Sequence, residues 1–218
     1  LEIGPGTGKL TEEIVKKNPK RLIVVEKDKS LSEYLKKKFV NKIEVVNEDI
    51  LECYSSFKFR EPIKVFGNLP YNISTKILTS FLQTEKLNKI FSQFIFLFQK
   101  EVAERIVASE NSKNYGRLSI LTSWKMESSK ILDVAPKSFY PVPKVWSSLI
   151  LLKPKDKIEK LKDQKKLEHI TNIFFRRLHL TPKTRRIMLV CDFAYSYVMP
   201  LAVLTAVLLG SEISCTRD

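Results

Sequence analysis

The sequence predicts an α/β fold built on a mostly parallel, doubly wound sheet, and three observations carry that expectation. Short β-rich apolar runs alternate with stretches of helical periodicity through residue 152. The first run breaks into a turn with glycine at every second position, Gly4, Gly6 and Gly8. An acid, Glu26, closes the next run about 20 residues further on, where nucleotide-binding α/β folds place a ribose-hydroxyl acceptor.

Leu1 to Thr11 reads as the end of a strand, a glycine turn and the start of a helix that continues through Ile14 and Val15. Glycines let a backbone approach a ligand closely, and the helix N-terminus beyond them favours a carboxylate or phosphate. The G-x-G-x-G spacing is neither a Walker loop nor a G-x-G-x-x-G dinucleotide fingerprint. Arg21 to Glu26 is the second strand, Ser30 to Phe39 a helix, and Ile43 to Val46 a third strand ending at Glu48-Asp49. Asp49 stands open between two roles, acceptor for an adenine amino group or N-cap of a helix through Ile50-Leu51. Ile63 to Phe66 is the fourth strand, and Ile77, Leu78, Phe81 and Leu82 repeat at helical spacing within Thr75 to Leu82. Phe94 to Phe98 is a buried fifth strand, followed by helices carrying Val102 and Ile106 and opening at Tyr115 to Ser119. Ile131 to Val134 and Trp146 to Leu152 are the last strands, at one side of the sheet, joined by the loop Ser138 to Lys144.

The charge, 38 Lys and Arg against 24 Asp and Glu for a formal +14, points to a polyanionic partner, with a solvated lysine-rich surface as the bland alternative. Collagen, coiled coil and disulfide scaffold are excluded by composition. Cys53, Cys191 and Cys215 are odd in number and follow no C-x-x-C spacing, which argues for a reducing compartment and against structural zinc. No signal sequence opens the chain; it begins with Leu1 inside a strand and is expected to be a fragment lacking its natural N-terminus.

Mixed charge from Lys153 to Lys166 marks a boundary. Residues 1–152 are read as the catalytic domain and 153–218 as a small helical domain, irregular after about residue 188. Leu167 to Arg177 suits an amphipathic helix. Phe193 to Gly210 is uncharged and mostly apolar, interrupted by Pro200, and three readings stay open for it: a buried helical pair, a divergent or mis-framed tail, or a membrane anchor.

The most informative stretch is Asn68-Leu69-Pro70-Tyr71, read as a loop at the C-terminal end of the fourth strand, where open α/β sheets place their ligands. The exocyclic amine of adenine is a poor nucleophile because its lone pair is delocalised into the ring. The Asn68 side-chain oxygen and the Leu69 carbonyl supply two acceptors for its N–H groups, turning the lone pair outward. Pro70 fixes the backbone and removes a competing donor, and Tyr71 offers a flat face for the base. Alone, such a tetrapeptide is also an ordinary Asn/Pro turn.

Taken in order, Glu2-x-Gly4-x-Gly6-x-Gly8, Glu26, Asp49, Asn68-Leu69-Pro70-Tyr71, Tyr115-Gly116-Arg117-Leu118-Ser119 and Phe139-Tyr140-Pro141-Val142-Pro143-Lys144-Val145 resemble the S-adenosylmethionine-dependent rRNA adenine dimethyltransferases. The likeness covers about residues 1–152, extending towards Arg177. It implies a Rossmann-like methyltransferase domain followed by a small helical domain. It also implies S-adenosylmethionine as cofactor, bound by Glu2, Gly4, Gly6 and Gly8 at the methionine end, Glu26 at the ribose, Asp49 at the adenine amine, and Asn68. Asn68, Leu69, Pro70, Tyr71 and Phe139 become the catalytic set, the two rings stacking on the target base. Within the family the chain is most similar to the bacterial small-subunit branch. That implies dimethylation of two adjacent adenosines near the 3′ end of 16S rRNA during subunit biogenesis, by a cytoplasmic monomer without metal or membrane partner. The family's basic run is approximated by Arg176-Arg177 and Arg185-Arg186. The alternatives are a large-subunit methylase of the erythromycin-resistance type and a non-catalytic nucleic-acid-binding factor. A dehydrogenase would use Gly4 to Gly8 and Glu26 but leave Asn68 to Tyr71 unexplained.

Overall fold

A computed structural model of the chain describes residues 1–57, 59–110, 112–158 and 171. Two compact units divide the chain, Leu1–Lys160 and Leu161–Asp218. Thr171 apart, the described residues belong to the first, so the expectations for a helical C-terminal domain, an Arg-rich run and an apolar tail fall outside them.

The order is β1 (Glu2–Ile3), α1 (Lys9–Val15), β2 (Ile23–Val25), α2 (Lys29–Lys38), β3 (Glu44–Val46), α3 (Ile50–Cys53), β4 (Ile63–Asn68), α4 (Tyr71–Gln83), α5 (Leu87–Ile90), β5 (Phe91–Gln99), α6 (Lys100–Ile106), α7 (Arg117–Lys125), β6 (Met126–Val134) and β7 (Ser147–Pro154). The strands form one sheet in the order β3-β2-β1-β4-β5-β7-β6. The first five run parallel, and β7 is antiparallel to both of its neighbours. This is the mostly parallel, doubly wound sheet expected from the alternation of elements, with the last two strands at one side. Among the described helices none is long and apolar enough to cross a membrane.

One aromatic cluster fills the middle of the core. Phe94, Phe96 and Phe98 alternate along β5, so their rings share a face of the sheet. A register shift opposite Ile63 and Lys64 brings Phe91 onto that face as well, despite its odd spacing from Phe94. Phe81 of α4 lies 5.1–5.2 Å from Phe91 and Phe94 and 6.4 Å from Phe96, centroid to centroid. All five rings are fully buried, and each such pair adds about 0.5–1.5 kcal/mol beyond simple burial. The cluster therefore fixes α4 against β5, and with it the end of α4 that enters the site. At the other end of α4 the buried Lys125 amine donates to the carbonyls of Leu82 and Thr84, 2.5 and 3.4 Å away, satisfying acceptors that the helix terminus leaves open.

Three elements depart from the sequence reading. β4 continues through Gly67 and Asn68 because β5 keeps pairing with it, Asn68 opposite Leu97. The expected loop thus shrinks to Leu69-Pro70, and Tyr71 already belongs to α4, which begins four residues before Thr75. Pro70 has no N–H to lose and its φ of −56° suits a helix start, so its carbonyl accepts from the amides of Ile73 and Ser74. β6 begins at Met126 rather than Ile131, since Glu127 to Lys130 are polar residues of an edge strand and carry no apolar signature.

Behind the glycine turn, Gly8 has φ +77°, and a Cβ there would lie 2.6 Å from Phe39 Cε2 and 2.9 Å from Leu35 Cδ2. Gly8→Ala combines a left-handed backbone with overpacking against buried side chains, and is expected to cost about 2–4 kcal/mol. Gly6→Ala meets no neighbour and should cost only the backbone share, about 1–2 kcal/mol. Urea unfolding of the two variants checks the ordering.

Candidate active site

Register alone gathers the predicted residues. Ile3 lies opposite Val25 and Gly67, and Val25 opposite Val46, so Gly4, Glu26, Asn47 and Asn68 leave the sheet along one edge, at the C-terminal ends of β1 to β4. Strand order reverses between β1 and β4, the position where open parallel sheets form a crevice.

The glycine turn divides by role. Gly4 and Gly6 adopt φ of +62° and +56°, and a Cβ at either would project into open space, so a ligand can approach that backbone. Gly8 instead faces α2 and serves packing. Glu26 is buried and braces the turn: its Oε2 accepts from the Gly6 amide at 3.2 Å and its Oε1 from the Asp28 amide at 3.0 Å. Glu2 is 1% exposed, and its Oε2 has no hydrogen-bond partner among the described residues. Burial pushes its carboxyl above the ordinary range; the nearby Thr11 hydroxyl, itself without a normal hydrogen bond, and the Leu1 amine pull it part of the way back.

Asp49 takes the capping role in this structure. Its Oδ1 accepts from the Leu51 amide at 2.9 Å and its Oδ2 from the Lys27 ammonium at 3.0 Å. The backbone hydrogen bond, then Lys27, holds its carboxyl below the usual range. Each oxygen retains a second lone pair, so capping leaves acceptor capacity. Asn47, missed in the sequence, ties the ends of β2 and β3 together by donating to the carbonyls of Glu26 and Lys27 at 2.8 and 3.1 Å.

On β4 the side chains alternate, and Asn68 is exposed with no side-chain partner among the described residues. Leu69 turns the other way into the core, 2% exposed. It occupies the space Gly67 leaves: a Cβ at Gly67 would lie 2.7 Å from Leu69 Cδ2 and 3.2 Å from Phe96 Cδ1. The Leu69 carbonyl accepts no backbone hydrogen bond among the described residues. Two acceptors therefore stand free on a backbone anchored from below. Tyr71 is half-buried, and its hydroxyl lies 2.6 Å from Ser147 Oγ at the start of β7. Beside it Ser148 donates to Asp133 Oδ1 at 2.6 Å, and Asp133 pairs with Lys130 at 3.1 Å and Lys100 at 3.3 Å. The Ser148 hydroxyl, then Lys130, lowers the Asp133 carboxyl to about 2. Phe139 follows a 3-10 turn over Pro136–Ser138 and is half-buried. Ser147 had no sequence signal, because its partner is 76 residues away. Among the described residues no group of three or more His, Cys, Asp and Glu could hold a metal ion.

Comparison with known proteins places the chain in a family. The family described as ribosomal RNA adenine dimethylase matches residues 1–184. The ribosomal RNA small subunit methyltransferase A of Pelagibacter ubique is 54% identical over 175 residues, 80% of this chain and 67% of that protein. Its namesake from the Wolbachia of Brugia malayi is 44% identical over 157 residues, 71% of this chain and 59% of that protein. Among solved structures, a dimethyladenosine transferase from Plasmodium falciparum gives a TM-score of 0.59 at 32% identity, covering 71% of this chain and 54% of that one. The 23S rRNA methyltransferase ErmE gives 0.64 at 26%, covering 86% and 74%.

The two readings of Asp49 separate in Asp49→Asn, because Asn caps a helix as well as Asp but offers one acceptor fewer. Stability is expected to stay within about 0.5 kcal/mol. Affinity for an adenine nucleoside cofactor should fall at least about fivefold, or ~1 kcal/mol, by calorimetry. Parent affinity would leave Asp49 a cap only.

Proposed function

Since the chain belongs to the ribosomal RNA adenine dimethylase family, we propose that it transfers methyl groups from S-adenosylmethionine to the exocyclic N6 of adenosines in small-subunit rRNA, dimethylating two adjacent adenosines near the 3′ end of 16S rRNA. The observation that carries this reading is the pair of free acceptors, Asn68 Oδ1 and the Leu69 carbonyl, on the same sheet edge as the open glycine turn.

The residues present fit the cofactor. Open space over Gly4 and Gly6 admits a ligand against the backbone, and the buried Glu2 Oε2 calls for a donor such as an amino group. Glu26 is oriented by two amides with lone pairs left for ribose hydroxyls, and Asp49 retains a lone pair for an adenine amine. When bound, S-adenosylmethionine supplies an electrophilic methyl group. The chain's own part is to hold the nucleophile. Asn68 and the Leu69 carbonyl accept from the two N–H groups of the target amine and so localise its lone pair. Positioning of this kind can supply most of a rate enhancement, and no strong general base is required. Extruding the base costs a few kcal/mol, which stacking worth about 1–3 kcal/mol per aromatic contact largely offsets. Tyr71, steadied by Ser147, and Phe139 are the rings for that purpose.

The small-subunit assignment rests on relatives 44–54% identical that carry that name, whereas the likeness to the large-subunit enzyme ErmE is 26%. A cytoplasmic monomer acting on a small subunit or its precursor, without metal, completes the reading. The division into a catalytic domain over 1–152 and a helical domain over 153–218 remains part of it. Primer extension across rRNA treated with the protein and methyl donor tests the assignment; modification of large-subunit rRNA alone would overturn it.

Asn68→Ala is expected to lower turnover at least about tenfold, or ~1.4 kcal/mol, while cofactor affinity barely changes. Tyr71→Ala should raise KM for RNA as well, since stacking acts before chemistry. A folded Asn68→Ala variant methylating at the parent rate would remove the central assignment. RNA affinity, carried by a chain of formal charge +14, should fall steeply with added salt, and cofactor affinity should not. Equal salt slopes in filter binding and calorimetry would contradict that division.

A further inference from the structure

Ile131, Leu132, Tyr140, Val142, Val145 and Trp146 are large apolar residues left exposed in one stretch that ends against the candidate active site. Large apolar side chains left exposed in such number within one short stretch point to an interaction site. Trp146 is its best-anchored member. Its carbonyl accepts from the Lys100 amide at 2.9 Å, and the Lys100 ammonium stands 5.9 Å from its ring centroid, held there by Asp133. The residue is nevertheless 50% exposed, while Ser147 beside it is fully buried against the Tyr71 hydroxyl. Only β5 separates β4 from β7, and Asn68 lies across it from Leu149, so Trp146, three residues before Leu149, stands about 14 Å from Asn68 backbone to backbone on the same side of the sheet. Between residues 130 and 146, exposed Lys130, Lys137 and Lys144 face a single acid, Asp133.

We propose that Trp146, steadied by Lys100, is a stacking platform for a nucleotide of single-stranded RNA flanking the adenosine that enters the Asn68–Tyr71 site. The identity of that neighbouring base rests on the methyltransferase reading above. Aromatic faces among lysines are the recurring means of holding single strands, base on ring and phosphate on ammonium. A protein partner fits less well, because lysine is depleted from the cores of protein interfaces.

The test titrates the full chain with single-stranded oligoadenylate, following anisotropy of the labelled RNA and tryptophan emission. Trp146→Ala should weaken binding at least about fivefold, which corresponds to ~1 kcal/mol. Trp146→Phe keeps a stacking face and should bind within about twofold of the parent. It should also lose most of the RNA-induced quenching, because only Trp124 remains of the two tryptophans. Parent affinity in Trp146→Ala, or parent emission that RNA leaves unchanged, overturns the proposal. Concentration-dependent dimerisation abolished by Trp146→Ala would assign the face to a second copy and overturn it too. Binding of S-adenosylhomocysteine, measured in parallel, keeps the two readings apart. Its absence would defeat the methyltransferase reading and leave the platform standing, whereas its presence without Trp146-dependent RNA binding would do the reverse.

Discussion

The Leu69 side chain is the constraint on which the site depends. It drops into the core beside Phe96, in space that exists because Gly67 has no Cβ. A well-packed apolar anchor is stiff, since the interior is as dense as an organic crystal. Fixing that one side chain fixes the backbone on both sides, so the Leu69 carbonyl and the Asn68 side chain can stay free of partners without wandering. The same packing reaches through Phe96 to Phe81 and thus to α4, which opens with Tyr71. Acceptors left open at the surface are supported by saturated packing one layer below.

A second constraint governs the glycine turn. A turn with three positive-φ residues has no regular hydrogen-bond ladder of its own, yet here Glu26 reaches across from β2 to hold the Gly6 amide. Gly8 anchors the far end against Phe39 and Leu35. The middle of the turn therefore stays open while its ends are tied. Glu2, the first residue of β1, has a buried oxygen without a partner among the described residues, and burial raises its carboxyl accordingly.

The antiparallel β7 gives the site its third side. A parallel strand next to β5 would bring its C-terminal end to the site; reversal brings Trp146, Ser147 and Ser148 there instead. Ser147 steadies Tyr71, Ser148 orients Asp133, and Asp133 holds Lys100 over Trp146. One strand direction thus joins Tyr71 to an exposed, lysine-flanked tryptophan.

Local signals were enough for much of this protein. Apolar runs such as Phe94 to Phe98 reveal strands because burial on a sheet demands them, and alternate glycines reveal a positive-φ turn because few other residues tolerate its backbone. The sequence by itself therefore determined the parallel α/β class, the fourth strand that leads into Asn68 and the glycine turn at Gly4 to Gly8. Tertiary structure decided what local signals cannot encode. β4 runs on to Asn68 because β5 pairs with it, β6 is longer than its apolar run because β7 pairs with it, and Gly8 admits no side chain because Phe39 and Leu35 pack against it. The Tyr71–Ser147 contact joins residues 76 apart, and Asp49 is committed to a cap through Leu51 and to Lys27, 22 residues earlier. Pairings of this kind are set by register and packing between distant segments, and no local run of residues carries them.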